Sequence, residues 1–97
     1  MEAPRHTTLS DAQLDRLAAL AAALTPLSAA AIIMGIDEAM LREAVADEDN
    51  PAHTAYHTAK ELTMLDIRQT EIKLARAGSP LAMQLVGGYL NRMEADE

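Results

Sequence analysis

Apolar residues recur along most of this chain with the spacing of amphipathic helices. Residues three and four positions apart are apolar over the runs 14–24, 40–45, 52–65 and 82–93. This is the pattern of a helix that turns one face toward a core. β-branched residues never alternate with polar ones over a useful run, so we predict an all-α fold.

Capping residues, prolines and glycines divide the pattern into five helices. The predicted helices cover about 11–24, 26–34, 38–46, 51–77 and 80–93. Their predicted N-caps are Ser10, Thr25, Asp37, Asn50 and Ser79, and Gln13 completes a capping box with Ser10. Proline follows the cap at Pro26, Pro51 and Pro80, where its missing N–H is harmless. Gly35 and Gly78 are expected to end helices 2 and 4 because glycine accepts positive φ.

The inward faces of the helices follow from the same spacing. In helix 1 the main apolar stripe is Leu14, Leu17, Ala18 and Ala21; in helix 3 it is Met40, Leu41, Ala44 and Val45. Helix 4 has two apolar faces, one with Ala52, Tyr56, Ala59 and Thr63 and the other with Leu62, Leu65, Gln69 and Ile72. A helix with two apolar faces packs against two neighbours.

Helix 5 carries an apolar stripe that helices 1–3, short and rich in alanine, can cover only in part. An uncovered apolar patch of that size is unusual in a monomer. We therefore predict a homo-oligomer built through helices 4 and 5, with an interface at Leu85, Val86, Tyr89, Leu90 and Met93. The predicted organisation is a disordered N-terminus (1–9), a unit of three helices (10–49), an antiparallel helical hairpin (50–93) and a tail (94–97).

Composition narrows the functional classes. Cysteine is absent from the 97 residues, which excludes disulfides and thiol chemistry and fits a cytoplasmic protein. The uncharged run 17–36 is rich in alanine and contains a Thr-Pro helix start, so we expect no membrane span. A net charge of −7 opposes non-specific binding to nucleic acid, because phosphates are repelled over the whole surface.

No arrangement typical of a catalytic centre is present, and we predict neither enzymatic activity nor a cofactor. His53 and His57 are spaced i, i+4, with Glu61 one turn further, a geometry that can hold a metal ion. The Glu that metalloproteases place directly after the first His is missing, and no distant third ligand is evident. A solvated helix face is the simpler interpretation, and we predict no metal site.

The run from Leu27 to Ala44 has the residues that a DNA-binding helix-turn-helix needs. Gly35 suits the tight turn, and Ala31, four positions earlier, is small enough for the two helices to cross closely. Leu41, six positions after the glycine, can lock the second helix, and Ile36 can plug the turn. The same residues also fit a simple helical hairpin that does not bind DNA. The sequence leaves both interpretations open.

Over about residues 27–93 the chain resembles phage terminase small subunits. The resemblance lies in Asn50-Pro-Ala-His-Thr-Ala-Tyr56-His-Thr-Ala-Lys60 and in Leu74-Ala-Arg-Ala-Gly-Ser-Pro-Leu-Ala82. It implies a DNA-binding component of phage genome packaging, with double-stranded DNA and a terminase large subunit as partners. The helix-turn-helix would recognise the viral genome while the central hairpin builds a ring.

On this hypothesis, DNA contacts are expected from helices 2, 3 and 4. The candidate residues are Ser28 on helix 2, Glu38, Arg42 and Glu43 on helix 3, and Lys60, Arg68, Lys73 and Arg76 on helix 4. The alternative is a helical protein–protein interaction module that does not bind DNA. The net charge and the acidic third helix favour that alternative.

Overall fold

The computed structural model describes residues 8–97 and contains five helices in that range, with no strand. These are α1 (Asp11–Ala22), α2 (Leu27–Met34), α3 (Glu38–Ala46), α4 (Pro51–Arg76) and α5 (Pro80–Asp96). About 80% of the described residues are helical, so the predicted all-α class is confirmed. No helix within residues 8–97 is long and apolar enough to cross a membrane.

Local side-chain chemistry sets most of the helix starts. The predicted capping box is present: Gln13 N–H donates to Ser10 Oγ, and Ser10 N–H donates to Gln13 Oε1. Asp37 accepts from Met40 N–H and Ser79 from Ala82 N–H. The cap predicted at Thr25 is wrong, because Pro26 is the N-cap residue of α2 and no side chain caps that end.

Three helix ends share one hydrogen-bonding pattern, in which a left-handed residue turns the chain back on the last helical turn. At Gly35, with φ of 69°, the N–H of Ile36 donates to Ala31 O at 3.0 Å. Gly78, with φ of 101°, ends α4 in the same way. These bonds satisfy carbonyl groups that a helix otherwise leaves free. The positive φ expected at Gly35 is thus confirmed.

The third such end is formed by leucine rather than glycine. Leu24 adopts φ of 59°, and Thr25 N–H donates to Leu20 O at 3.0 Å. This is why α1 stops at Ala22 instead of continuing to Leu24 as predicted. A left-handed leucine costs roughly 1–2 kcal/mol of backbone strain, so leucine rarely adopts this conformation. The residue type therefore did not indicate a turn at this position.

Within the described range, residues 8–63 form one compact unit. Its core contains Leu9, Leu17, Ala30, Ala31, Leu41, Ala44, Val45 and Ala52, with Tyr56 packed at the edge. Leu41, Ala44 and Val45 were predicted to face inward and are buried; Met40 was predicted with them and is 49% exposed. Leu9 lies in this core although residues 1–9 were predicted to be disordered, and residues 1–7 lie outside the described range.

The second compact unit runs from Met64 to Glu97. It differs from the first in burying almost no side chain: within it only Ala82 is buried. The boundary falls inside α4, whereas the sequence placed it at 49–50, because the first turns of α4 pack into the first unit through Ala52. Helix α5 continues to Asp96, beyond the predicted end at Met93, since Glu94 and Ala95 are good helix formers.

Candidate functional site

The α2–α3 connection contains the residues that the sequence singled out for a helix-turn-helix. Ala31 is 3% exposed and Leu41 is fully buried, so both lie in the core of the first unit. Gly35 has no neighbour within 4 Å of where a Cβ would lie, so its requirement is conformational and not steric. The three residues singled out from the sequence therefore have the burial and backbone angles that a close helix crossing needs.

The candidate DNA contacts on α2 and α3 are solvent-exposed, but the basic one is already paired. Arg42 Nε donates to Glu38 Oε2 at 2.8 Å across one helical turn. Both side chains are about half exposed, so the pair contributes at most a few tenths of a kcal/mol. Ser28 and Glu43 are exposed. Because the pair is weak, Arg42 can exchange Glu38 for another hydrogen-bond acceptor.

Charge around these residues is strongly acidic. Between Thr8 and Thr63 the chain has nine carboxylates against three basic side chains, whereas residues 64–97 have five against four. Asp37 and Glu38 also stand at the N-terminal end of α3, the end of a helix that otherwise attracts anions. A phosphate that approaches α3 therefore meets net repulsion.

The basic candidates on α4 are divided between the two compact units. Lys60 lies in the first unit, with its Nζ 5.4 Å from the centroid of the Tyr56 ring. Arg68 lies in the second unit, with its guanidinium carbon 6.0 Å from the centroid of the Tyr89 ring. Lys73 and Arg76 are exposed on the last turn of α4. Cations are favourable at that end of a helix, so the position of these two side chains does not require a ligand.

The predicted oligomer interface is largely accessible in the single chain. Leu85, Leu90 and Met93 are 41%, 51% and 62% exposed, while Val86 and Tyr89 are partly buried. A groove of about 850 Å³ on the second unit is lined in part by Val86, Tyr89, Leu90 and Met93. The groove is also lined by Arg68 and Ile72 from α4, residues that the sequence did not assign to it.

A group that the sequence analysis set aside lies at the start of α4. His53 Nδ1 is 2.8 Å from Val45 O of α3, and the His53 and His57 ring centroids are 4.4 Å apart. Within residues 8–97, no set of three or more His, Asp or Glu side chains is close enough to hold a metal ion. The i, i+4 spacing was visible in the sequence, but the contact with Val45 was not, because it depends on how α3 packs.

Burial governs the titration of His57. Desolvation lowers the pKa of His57 below its ordinary value of 6.5, and the neighbouring His53 and Lys60 lower the pKa further. The Val45 carbonyl and Glu61 act in the opposite direction but do not reverse the shift. The ring of His57 is therefore held neutral over a wider pH range than a free histidine.

Exposed isoleucines on α2 are a feature that the sequence analysis missed. Ile32 is 80% exposed and Ile33 is 49% exposed, the former being the most exposed of the large hydrophobic residues described. An apolar helix of eight residues gives no clear periodicity, so the sequence could not separate its buried alanines from its exposed isoleucines.

Comparison of the chain with protein-family models, curated proteins and solved structures found no match.

Proposed function

We propose that this protein is a DNA-binding component of phage genome packaging, similar to terminase small subunits, that acts in several copies. The observation that carries the proposal is the α2–α3 connection, with Ala31 and Leu41 buried around a left-handed Gly35. A helix-turn-helix needs this combination so that its second helix packs across the first and presents its exposed face to the major groove. On this proposal, α3 is the recognition helix.

The exposed face of α3 defines how DNA would be read. Arg42 would leave Glu38 and donate to guanine, the commonest specific contact in the major groove. Glu38 or Glu43 would accept from the amino group of cytosine. Ser28, near the N-terminus of α2, would contact a phosphate, as residues at that end of the first helix do. Exchange of the weak Arg42–Glu38 pair for two base contacts would make binding depend on sequence.

Affinity is the difficulty, since a single acidic unit binds DNA weakly. Several linked copies can bind with an avidity that exceeds the single-site affinity by orders of magnitude. The exposed side chains of α4 and α5, proposed here as a helical hairpin, offer the surface for assembly. Lys73 and Arg76 would then supply phosphate contacts. A terminase large subunit is the protein partner that the proposal implies.

A second candidate function is a helical module that binds only protein. It is favoured by a specific observation: eight of the thirteen exposed large hydrophobic residues lie between Leu65 and Met93. At roughly half exposure they present on the order of 800 Å² of apolar surface, about what one partner contributes to a standard interface. This surface needs no DNA to explain it, and the acidic charge around α3 is then of no consequence.

Fluorescence anisotropy with labelled double-stranded phage end DNA separates the two candidates. At about 50 mM salt we expect binding that weakens steeply by about 200 mM, because phosphate contacts release counterions. Arg42→Gln should weaken binding roughly tenfold or more if Arg42 contacts a base. Arg16→Gln, on the exposed face of α1, changes the net charge equally and should have little effect.

Two results would contradict the proposal. Equal weakening by Arg42→Gln and Arg16→Gln would mean that only net charge matters and that α3 is no recognition helix. Absence of binding at low salt, with the protein well above micromolar concentration, would leave the protein-binding module as the function.

A further inference from the structure

His53 and His57 stand one above the other on the first turns of α4. Residues four apart on a helix project from the same face, so their side chains are neighbours. The ring centroids are 4.4 Å apart and the ring planes are inclined by 53°. Both rings are partly buried but retain access to solvent. The pair is therefore a preformed juxtaposition of two imidazoles that a small ion can reach.

The contact with α3 fixes the tautomer of the His53 ring. A backbone carbonyl can only accept, so Nδ1, 2.8 Å from Val45 O, must carry the hydrogen. Nε2 then has the free lone pair. Histidines that ligate metals are generally held in this way, with one ring nitrogen donating to a carbonyl or carboxylate while the other binds the ion. The carbonyl of Val45 would therefore fix the tautomer and the orientation of the His53 ring, as such hydrogen-bond partners do in known metal sites.

The separation of the rings fits a shared ion. With each nitrogen about 2.0–2.1 Å from a metal, each ring centroid lies about 3.2 Å from it. For an ion that lies in line with one ligating nitrogen of each ring, centroids 4.4 Å apart subtend close to 90°. That is the angle between adjacent ligands in the tetragonal geometry of Cu²⁺ and Ni²⁺. Tetrahedral zinc would need a separation nearer about 5.2 Å.

We propose that His53 and His57 chelate one divalent transition-metal ion, with Cu²⁺ and Ni²⁺ preferred over Zn²⁺ and with water completing the coordination. Two imidazole ligands suit these ions and exclude Mg²⁺ and Ca²⁺, which require oxygen ligands. No third protein ligand is close within the described chain, so the site is open. Because His53 is hydrogen-bonded to the Val45 carbonyl of α3, the ion would also stabilise the α3–α4 junction. This inference does not depend on the proposed function.

The test is a calorimetric titration of the full chain with Cu²⁺, Ni²⁺, Zn²⁺ and Mg²⁺ as chlorides. The expected result is one Cu²⁺ or Ni²⁺ per chain, weaker Zn²⁺ and no Mg²⁺. His53→Gln and His57→Gln should each weaken binding at least tenfold, whereas His6→Gln, which removes the third histidine of the sequence, should leave it unchanged. The melting temperature should rise with Ni²⁺ in the unmodified protein and in His6→Gln only.

A spacing variant is the sharpest control. His57→Thr combined with Thr58→His keeps the composition and the number of histidines but moves one ring about 100° around the helix. It should lose binding as fully as His57→Gln does, with an unchanged far-ultraviolet circular dichroism spectrum. If His53→Gln does not fold, His57→Gln and the spacing variant still decide. Unchanged affinity in the spacing variant, or equal loss in His6→Gln, would show adventitious binding and overturn the proposal.

Discussion

Leu41 and Met40 are adjacent on α3, and the structure gives them opposite roles. Leu41 is fully buried against the core of the first unit, whereas Met40 is 49% exposed. Leu41→Ala therefore removes a whole buried side chain and leaves a cavity, at a cost of roughly 2–5 kcal/mol. Met40→Ala gives up only about half of the transfer free energy of a methionine, and no cavity forms, so the cost is below about 1 kcal/mol.

Thermal and urea unfolding, followed by circular dichroism, measure the difference. A chain of this size has roughly 5–15 kcal/mol of stability in total. A loss of 2–5 kcal/mol lowers the melting temperature by at least about 8 °C, since each kcal/mol corresponds to about 4–8 °C. Met40→Ala should shift the melting temperature by only a few degrees. The packing described for α3 would be refuted if the two variants were destabilised equally, as the sequence pattern alone predicts.

Three further predictions concern the connections around α3. Ala31→Leu should destabilise the protein by roughly 1–3 kcal/mol through overpacking, while the exposed Ala39→Leu should change the urea midpoint little; equal effects would mean that Ala31 is not at a close crossing. Gly35→Ala should cost roughly 1–2 kcal/mol in the same assay from backbone strain alone, because nothing lies near a Cβ there; a cost above about 3 kcal/mol would indicate a clash that the structure does not contain. Since the pKa of His57 is lowered in the folded state, the unfolded state binds more protons, and stability should fall as pH drops below 6.5. His57→Gln should reduce that slope, and a variant with the same pH profile would contradict the assigned shift.

The sequence predicted best those features that depend on neighbouring residues alone. The capping box of Ser10 and the caps at Asp37 and Ser79 need only a side chain and an N–H two or three residues away. Gly35 and Gly78 indicate left-handed turns because other residues avoid that conformation. Where the chain used a residue without such a preference, as at Leu24, the helix end could not be predicted, and the cap assigned to Thr25 was wrong for the same reason.

Features that depend on packing were predicted less well. The helical period places Met40 and Leu41 on neighbouring positions of one stripe, and only the position of the other helices decides which of them is buried. The isoleucines of α2 show the same limit, since an apolar helix that is buried on one side gives no contrast along the sequence. For the candidate site, the sequence identified the residues of the α2–α3 connection but not the Glu38–Arg42 pair or the Val45–His53 contact.

The proposed DNA binding requires that assembly supply the affinity that a single acidic unit lacks. Sedimentation velocity with labelled double-stranded DNA measures assembly and binding together. The unmodified protein is expected to move DNA in a complex of several copies, and Leu90→Asp, at an exposed position of the proposed interface, should give a helical monomer that leaves DNA free. A monomeric unmodified protein, or a Leu90→Asp monomer that binds DNA equally well, would contradict the account.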